Sequence, residues 1–543
     1  MPSLTIDGRQ IDSPDGSTVI QAAEKLGIFI PRYCYHPGLS IAGNCRICLI
    51  EVEKNPKLQI ACNTLVADGM VVHTSSAKAE EGRRAVLEFL LANHPLDCPV
   101  CDQSGECDLQ NFYMNFGLYD PRFREQKVKK KKAVAVGPHV MLDQERCILC
   151  SRCVRFTDEI SKTGEFGIFN RGDRAEVGLY PGQNLDNLYS GNVVDICPVG
   201  ALTDREFRFK ARVWYLSSAP TVCNGCAQGC NVDVHYVLDR PHLNDGARIL
   251  RVKPRYNADV NQWWMCDEGR YGFGWIDKGR LTKVRHHGAE ATWDQAVEGI
   301  TEELKKIGGQ ERERGTASRL GVIASSQLTN EELFLVREIF ERALDARVTA
   351  SFPTPAGSSD NFLIKADKSP NTHGAAAIGL IRPSGPDAAA IVAEALEERL
   401  DALWVFGHDL RSLVTDADLE RLSRSLRLFV FSGANDNATA ARSHWTLPTA
   451  AYLEKDGTFV NFHGRVQRIG GAFAPLSDSR EDWRMLLDIA GRLNLGFLWR
   501  SPQEVFSALA ASVAPFAGLT YERIGLQGAS LTTDASVAEA VAR

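Results

Sequence analysis

Residues 147–153 read Cys-Ile-Leu-Cys-Ser-Arg-Cys, and residues 197–202 read Cys-Pro-Val-Gly-Ala-Leu. Three thiols at this close spacing, with a distant fourth followed by proline, form a ligand pattern of 4Fe-4S clusters. A tight loop carries the first three thiolates, and the remote cysteine closes the set. We therefore predict a 4Fe-4S site at Cys147, Cys150, Cys153 and Cys197.

The other cysteines fall into three further groups. All 15 cysteines lie between Cys34 and Cys266, and one group of three is preceded by a histidine. Deprotonated thiolates that ligate iron arrive as short Cys-x-x-Cys runs closed by a more distant ligand. The predicted sets are Cys34, Cys45, Cys48 and Cys62 for a 2Fe-2S cluster; His94, Cys98, Cys101 and Cys107 for a 4Fe-4S cluster; and Cys223, Cys226, Cys230 and Cys266 for another 4Fe-4S cluster.

The spacing leaves open which cluster Cys197 and Cys266 each complete. In two-cluster ferredoxins the cysteine that precedes proline ligates the other cluster, so spacing alone also permits Cys197 and Cys266 to exchange partners. We prefer the local pairing, because each run of cysteines then has its own nearest downstream partner.

The first group follows a predicted β-grasp domain. Residues 4–6 and 10–11 flank the turn Asp7-Gly8, which is a strong hairpin signal. Ser17 precedes a helical segment with apolar residues on one face. A long loop after such a helix, carrying three cysteines with a fourth further on, is similar to the plant-type 2Fe-2S arrangement, although the spacing differs.

His94 completes the second group. Residues 83–91 form a predicted helix that Pro95 ends, which leaves His94 at its C-terminal edge. A histidine at a helix end is in general more often a partner of the helix dipole than a ligand. Here three cysteines lack a fourth thiolate and no cysteine is left over, so we predict that His94 is the fourth ligand. A neutral imidazole in place of a thiolate changes the charge of a cluster and hence its reduction potential.

Disulfides and zinc are the alternatives for the cysteines. The cysteine count is odd, and the N-terminus lacks the basic region and apolar core of a signal peptide, which disfavours disulfides. Zinc ribbons use paired CxxC knuckles, whereas these groups have one remote partner each. Zinc remains an alternative for one group and a poor fit for all four.

Composition indicates a soluble, multidomain protein. The net charge of −6 and the pI near 6.1 give no general attraction to nucleic acid or anionic lipid. No run of 18 apolar residues occurs, so any membrane association is expected through partners. Unpaired thiols on this scale favour a reducing compartment, the cytoplasm. We interpret the basic run at residues 127–132 as a solvated linker, with docking to an acidic partner as the lesser alternative.

The second half of the chain has an α/β pattern. Thr292 with Gln295 and Thr329 with Glu332 predict capped helices, and residues 415–422 predict another helix. The predicted strands are residues 320–323, 402–406 and 426–431. Strands that alternate with helices indicate a largely parallel sheet covered on both faces. Gly433 and Gly457 are predicted in turns, with a weak indication of ligand binding.

The order of these motifs resembles the large iron-sulfur subunit, of the 75 kDa type, of respiratory NADH-quinone oxidoreductase, complex I. The sequences that carry the resemblance are HxxxCxxCxxxxxC, CxxCxxC with its CPVGAL closure, and CxxCxxxC with Trp-Trp-Met-Cys-Asp-Glu-Gly-Arg, within residues 1–275. Residues 279–282 and 454–459 resemble the family's molybdopterin-oxidoreductase-like domain more diffusely.

The resemblance implies an α+β multidomain fold: a β-grasp 2Fe-2S ferredoxin-like domain, 4Fe-4S ferredoxin-like modules and an α/β molybdopterin-oxidoreductase-like domain. The expected divisions are residues 1–78 for the 2Fe-2S domain, 79–118 for the 4Fe-4S module with one histidine and three cysteines, 138–215 for the ferredoxin-like domain, 216–272 for the 4Fe-4S module of the molybdenum-enzyme type, and 273–543 for a degenerate α/β domain.

The resemblance also implies a role as an electron relay. Expected partners are a flavin and NADH-binding subunit, a small 2Fe-2S subunit and a ferredoxin-like quinone-side subunit, on the cytoplasmic side of a bacterial inner membrane. Electrons would enter at the Cys34 group and pass through the Cys147 and His94 groups, with the Cys223 group off that route. The last group is similar to one that some bacterial members carry, which implies a bacterial source.

Absent motifs distinguish this role from the alternatives. The chain has no GxGxxG motif that opens a helix after a strand and no P-loop, so no nucleotide site of its own is expected. No cysteine follows Cys266, so we expect neither molybdenum nor pterin. A molybdenum centre with serine or with no protein ligand is the alternative. The alternatives are the relay module of an NAD-linked hydrogenase or formate dehydrogenase, and a C-terminal domain that serves as a non-catalytic scaffold.

Overall fold

A computed structural model describes residues 1–117, 120, 122–314, 318–353 and 357–532. The chain forms two compact units that divide after Leu216. The first unit contains the Cys34, His94 and Cys147 groups, and the second contains the Cys223 group. Within the described ranges, none of the helices combines the length and the apolar character needed to cross a bilayer.

The N-terminal segment is the predicted β-grasp domain. Its five strands pair in the order β2-β1-β5-β3-β4. A helix packs its apolar face against this sheet, with Val19 and Ile20 fully buried. The elements are β1 (Ser3–Ile6), β2 (Arg9–Asp12), α1 (Val19–Lys25), β3 (Leu49–Val52), β4 (Gln59–Ile60) and β5 (Val71–His73).

The first hairpin forms where the sequence predicts it. Leu4 pairs with Ile11, and the turn residues Asp7 and Gly8 have φ values of 47° and 79°. Left-handed backbone at both turn positions matches the right-handed twist of the two strands. The turn therefore fixes the register that turns Leu4 and Ile6 into the core.

Helices and short strands carry the second and third cysteine groups. They are α2 (Ala77–Asn93), α3 (Asp108–Phe116), β6 (Val134–Ala135), β7 (Val140–Leu142), α4 (Arg152–Glu159), β8 (Phe166–Phe169), β9 (Glu176–Leu179), α5 (Asn192–Ile196) and β10 (Leu202–Asp204). Strands β10, β7 and β6 form one sheet, and β8 pairs with β9 in another.

Helix α2 begins six residues before the predicted start. The Ser76 side chain accepts a hydrogen bond from the Ala79 backbone N–H at 3.2 Å and caps the helix. The first turns are mostly polar, so apolar periodicity does not mark them. At the other end the helix stops at Asn93, and His94 is its C-terminal cap, as predicted from Pro95.

Residues 127–132 have no regular secondary structure, and Lys129, Lys131 and Lys132 are exposed, which agrees with the prediction of a solvated linker. The run is nevertheless attached at two points. The Lys132 amine pairs with Asp143 at 3.1 Å and Glu145 at 2.9 Å, and both carboxylates are buried. Lys127 donates to the carbonyl of Leu91 at 2.6 Å. The run attaches to the first unit because buried carboxylates and the C-terminal carbonyls of a helix need cationic partners.

The second unit opens with a three-stranded sheet and continues into a larger α/β domain. Its first elements are β11 (Ser217–Val222), β12 (Asn231–Tyr236), β13 (Ile249–Pro254), α6 (Asp267–Tyr271), β14 (Val284–His286), β15 (Ala289–Ala291), α7 (Trp293–Arg314), β16 (Leu320–Ile323), α8 (Asn330–Val336) and β17 (Arg347–Thr349). Helix α8 continues as a π-helical segment over Arg337–Ala343.

The remaining elements complete this domain. They are α9 (Thr372–Ile378), α10 (Ala388–Leu396), β18 (Ala402–Phe406), α11 (Asp416–Ser425), β19 (Leu428–Gly433), α12 (Ala438–Arg442), β20 (Trp445–Pro448), β21 (Gly457–Val460), β22 (Arg465–Ile469), α13 (Asp482–Arg492), α14 (Pro502–Ser512), α15 (Tyr521–Ile524) and β23 (Ala529–Ser530).

The central sheet has seven strands in the order β15-β14-β20-β19-β18-β16-β17. Strands β16 to β20 are parallel, and β14 and β15 add an antiparallel edge. Side chains of β18 alternate between two cores, with Trp404 packed in one and Leu403 in the other. Helices therefore cover both faces, which confirms the prediction of a largely parallel, doubly covered sheet.

Gly433 and Gly457 do not lie in turns, contrary to prediction. Gly433 ends β19 and Gly457 begins β21. A Cβ atom on Gly457 would lie 2.5 Å from Cγ2 of Thr329, the residue that caps helix α8. Glycine is needed there because a strand passes directly over a helix cap, a long-range contact that the sequence does not show.

Replacing Gly457 with alanine should destabilise the second unit. The added methyl group has no space beside Thr329, and overpacking of this kind costs about 1–3 kcal/mol. The midpoint of urea unfolding, followed by tryptophan fluorescence, should fall. The control is Gly491→Ala in helix α13, where no atom lies within 4 Å of the added Cβ; helix propensity predicts a gain of about 0.5–1 kcal/mol there. Equal midpoints for the two variants would contradict the close contact.

Candidate iron–sulfur sites

The first cysteine group forms a buried quartet of sulfurs. Cys34, Cys48 and Cys62 are at most 1% exposed, and the Cys34 backbone N–H donates to Sγ of Cys45 at 3.4 Å. The Cys34 thiol contacts those of Cys45 and Cys62, and Cys48 also contacts Cys62. Contact with Cys34 and Cys48, followed by burial, raises the pKa of Cys62. The loop after α1, which carries Cys34, Cys45 and Cys48, and the segment after β4, which carries Cys62, therefore bring all four predicted ligands together.

The third group surrounds a small cavity. Cys147, Cys150, Cys153 and Cys197 all line it, together with apolar residues of β7 and β10. The Leu149 N–H donates to Sγ of Cys147 at 3.4 Å, and backbone N–H groups of residues 199, 201 and 202 face the Cys197 sulfur. Such N–H donors stabilise ligating sulfur and tune cluster potentials.

The fourth group surrounds a second small cavity, in the second unit. It is lined by Cys223, Cys226, Cys230 and Cys266. The Gly225 and Gly269 N–H groups donate to the sulfurs of Cys223 and Cys266, both at 3.4 Å. A Cβ atom on Gly269 would lie 2.9 Å from Sγ of Cys223, so only glycine fits against that sulfur.

The cavities bear on the question of whether Cys197 and Cys266 exchange partners. Cys197 lies with the three cysteines nearest before it, and Cys266 lies with its own three. This arrangement supports the local pairing over the exchanged one.

The second group is more open than the others. His94, Cys98 and Cys107 line a mainly apolar cavity of about 500 Å³. Cys101 lies against Gly200, where an added Cβ would be 2.3 Å from its sulfur. Burial raises the pKa of Cys107 to about 11, with the charges of Cys101 and Cys98 adding to the effect. The three thiols therefore lie near one another.

His94 has the properties of a free imidazole ligand. Its Nδ1 is buried without a hydrogen-bond partner. Burial lowers the pKa of His94 to about 4, so the ring is neutral at physiological pH and keeps a lone pair for a metal. The cation at the C-terminus of helix α2 is instead Lys127, whose amine donates to the carbonyls of Leu91 and Ala92. This observation argues against the helix-dipole role for His94.

The ligand loops contain left-handed residues that the sequence does not predict. Arg46, Leu149 and Ser151 have φ values of 61°, 55° and 60°. Backbone of this kind turns successive N–H groups toward one side, which suits an anionic group. Only glycine would indicate such a position in the sequence, and none of the three is glycine.

The donor sets fit iron-sulfur clusters. Burial raises the pKa values of Cys147 and Cys223 to about 12 and that of Cys150 to about 11. Thiols this buried ionise at neutral pH only beside compensating positive charge, which ligated iron supplies. No three His, Cys, Asp or Glu side chains in the described part of the chain meet around a position for one metal ion.

A cleft of about 450 Å³ lies at the carboxyl ends of the parallel strands. Gly407, Gly433 and Thr449 line it where β18, β19 and β20 end, and Cys223 lies at its edge. The carboxyl ends of parallel strands are where ligands bind in open α/β folds. Of the two glycines weakly indicated as ligand-binding residues, the cleft contains Gly433 and does not contain Gly457.

The chain matches five families in succession. Residues 2–77 match a 2Fe-2S iron-sulfur cluster binding domain, and residues 83–122 match the NADH-ubiquinone oxidoreductase-G iron-sulfur binding region. Residues 137–203 match the ferredoxin-like domain of NADH-quinone oxidoreductase subunit 3. Residues 216–278 match the molybdopterin oxidoreductase Fe4S4 domain, and residues 370–492 match molybdopterin oxidoreductase. The chain is similar to the large iron-sulfur subunit of NADH-quinone oxidoreductase.

Curated relatives show the same similarity. The mitochondrial 78 kDa subunit of NADH-ubiquinone oxidoreductase from Candida albicans is 41% identical over 353 residues, 64% of this chain and 47% of that protein. The G subunit of NADH-quinone oxidoreductase from Rickettsia bellii is 38% identical over 63% of this chain and 48% of its own length. The corresponding protein of Streptomyces coelicolor is 40% identical over 63% of this chain and 40% of its own length. The chain thus spans about half the length of the curated relatives it matches.

One solved structure is similar over a smaller part. A chain of an NAD⁺-reducing [NiFe]-hydrogenase, in the H2-reduced state, is 30% identical and covers 39% of this chain and 91% of its own, with a TM-score of 0.36. That overall superposition is too loose to support an inference about function.

Removing His94 should destabilise the cluster of the second group. In His94→Ala no other thiolate is available to replace the imidazole, so that cluster should be lost or become labile. The measurement is iron content together with the paramagnetic signal of the reduced cluster. His94→Cys should retain the cluster and lower its reduction potential, because a thiolate adds negative charge.

The matched control is Lys127→Gln, which removes the cation at the helix terminus and leaves the imidazole in place. It should cost about 0.3–1 kcal/mol of stability and leave the signal unchanged. If His94→Ala behaved like Lys127→Gln, His94 would be a helix-end residue and the ligand assignment would be wrong.

Proposed function

We propose that this chain is an electron-transfer subunit of an NADH:quinone oxidoreductase, in which it relays single electrons from a flavin-bearing partner toward quinone. The observation that carries the proposal is the set of four separate Cys and Cys/His groups, in a chain of which nearly two-thirds resembles the large iron-sulfur subunit of that complex. Ion translocation would belong to the whole complex.

We propose that the Cys34 group holds one 2Fe-2S cluster and that the His94, Cys147 and Cys223 groups each hold one 4Fe-4S cluster. Three observations support this assignment. The required thiols of the third and fourth groups line cavities, glycines pack on the sulfurs of Cys101 and Cys223, and Nδ1 of His94 has no hydrogen-bond partner. The five divisions at residues 1–78, 79–118, 138–215, 216–272 and 273–543 place one cluster in each of the first four.

The chain's own residues would position and tune the clusters. NADH gives up two electrons together as hydride, whereas an iron-sulfur cluster accepts one, so a flavin must separate the pair elsewhere. In this chain the buried sulfurs exclude water, and backbone N–H groups such as those of Leu149 and Gly269 donate to ligand sulfur. Both effects set reduction potentials.

We further propose that the α/β domain holds no molybdenum or pterin and acts as a scaffold. The sequence has no cysteine after Cys266. Lys455, a cation that lines the cleft, is held by the carboxylates of Glu332 at 2.7 Å and Asp482 at 3.0 Å. Its charge is therefore already matched within the protein, and it is a poor partner for a cofactor phosphate.

The partners proposed are a flavin and NADH-binding subunit, a small 2Fe-2S subunit and a ferredoxin-like quinone-side subunit. The chain would lie peripherally, on the cytoplasmic side of a bacterial inner membrane, and reach the membrane only through partner subunits. Copurification of an NADH-oxidising flavoprotein would support this assembly. A nickel-iron or formate-oxidising partner in its place would favour the relay module of a hydrogenase or formate dehydrogenase.

Iron content tests the number of clusters. One 2Fe-2S and three 4Fe-4S clusters correspond to about 14 iron atoms per chain in anaerobically purified protein. Cys223→Ala should reduce this to about 10, because the fourth group loses a ligand. A wild-type value near 10 that Cys223→Ala leaves unchanged would remove the fourth cluster from the proposal.

A molybdenum and pterin assay on the same intact protein tests the scaffold role. The expected result is no molybdenum at a level comparable with the protein concentration. Stoichiometric molybdenum would overturn the scaffold proposal and favour a formate dehydrogenase-like module.

A further inference from the structure

Arg152 is a buried cation between two cysteine groups of the first unit. Its side chain is 8% exposed and lines the cavity of the Cys147 group. One guanidinium nitrogen donates to the Ile196 carbonyl at 2.9 Å, and the other donates to the Tyr35 carbonyl at 2.6 Å. Each of these carbonyls belongs to a residue next to a ligand cysteine, Cys197 in one case and Cys34 in the other.

Arg152 carries a buried charge that no directly bonded carboxylate offsets. Among the described residues it forms no salt bridge, and its Nε is buried without a hydrogen-bond partner. The negative groups that oppose its burial are Cys150, Asp108, Cys197 and Cys45, in that order. A buried charge without compensation is strongly destabilising. Three of these four groups are thiols of the two cysteine groups and the fourth is the carboxylate of Asp108, so the counter-charge of Arg152 is shared between Asp108 and the cysteine sulfur on its two sides.

Neighbouring residues hold this junction together. Arg155 donates to the Cys34 carbonyl and, at 3.4 Å, to the Cys150 carbonyl. The Asn44 amide donates to the Leu149 carbonyl at 3.2 Å. The loop of the Cys34 group is therefore joined to the loop of the Cys147 group by side-chain hydrogen bonds, with Arg152 as the most buried member.

We propose that Arg152 is a positioning and potential-setting residue shared by the Cys34 and Cys147 clusters. The inference rests on the proposed cluster ligation. Accepting one electron adds one negative charge to a cluster, and a guanidinium beside both clusters stabilises the reduced form of each. Arg152 thus raises both reduction potentials together, and its two hydrogen bonds fix the separation of the ligand loops.

The test uses the intact, cluster-loaded protein and potentiometric titration monitored by paramagnetic resonance. In Arg152→Gln the midpoint potentials of both clusters should fall by at least about 59 mV, which corresponds to a tenfold change in a one-electron reduction equilibrium. Arg152→Lys retains the charge and should restore at least half of each shift. If the role of Arg152 were purely structural, keeping the positive charge in Arg152→Lys would not restore the potentials.

The matched control is Arg83→Gln. Arg83 is 2% exposed and also donates to two backbone carbonyls, those of Leu49 and Thr74. Its buried Nε likewise lacks a partner, but among the described residues the predicted ligand sulfur whose charge acts on it is that of Cys48. Arg83→Gln should therefore change at most the potential of the Cys34 cluster and leave that of the Cys147 cluster unchanged.

Each outcome decides a separate point. Wild-type protein without iron at these groups would refute the proposed function itself. Loaded Arg152→Gln with wild-type potentials, or an Arg152→Lys shift as large as that of Arg152→Gln, would refute the role of Arg152. Arg152→Gln could instead lose the Cys34 and Cys147 clusters. In that case the proposal is supported if Arg152→Lys keeps both clusters and Arg83→Gln keeps the Cys147 cluster. If Arg152→Gln and Arg83→Gln lost the same clusters, the role of Arg152 would be structural only and the proposal would be refuted.

Discussion

The burial of thiol sulfur is the constraint on which the iron-sulfur half of this structure depends. Burial raises the pKa values of Cys147, Cys150 and Cys223 far above neutrality, so these side chains cannot ligate as thiolates without adjacent positive charge. Ligated iron would supply that charge, and oriented backbone N–H groups would add to it. The loops must therefore hold their sulfurs together while turning backbone amides toward them.

This requirement explains features that a packing argument alone leaves unexplained. Left-handed backbone at Leu149 and Ser151 is unfavourable for residues with side chains, and it occurs inside a ligand loop where an N–H donates to sulfur. Gly269 leaves space for the Cys223 sulfur that any side chain would occupy. In the second unit, by contrast, Gly457 is required by the passage of a strand over a helix cap, a matter of packing only.

Features that depend on adjacent residues could be predicted from the sequence, whereas features that depend on contacts between distant residues could not. The Asp7-Gly8 hairpin, the Thr329 capping box and strand β18 follow from adjacent residues, and each lies where it was predicted. The cysteine spacing likewise predicted which thiols share a cavity in the third and fourth groups. The ion pairs that attach the basic run were not predicted, because the carboxylates that bind Lys132 lie 11 and 13 positions further along the chain, and nothing local marks them as buried.

The same distinction explains why the sequence alone does not reveal the role of Arg152. It stands within Cys-Ser-Arg-Cys, where an arginine between ligands is ordinary and its direction is unknown. Only the fold shows that the guanidinium extends to Tyr35, 117 residues earlier in the chain, and to Ile196, 44 residues later. A cation held between two anionic centres affects both of them, so the potentials of neighbouring clusters need not be independent. Two clusters that share one counter-charge can be shifted together by a single substitution, whereas the backbone amides at each sulfur adjust one cluster at a time.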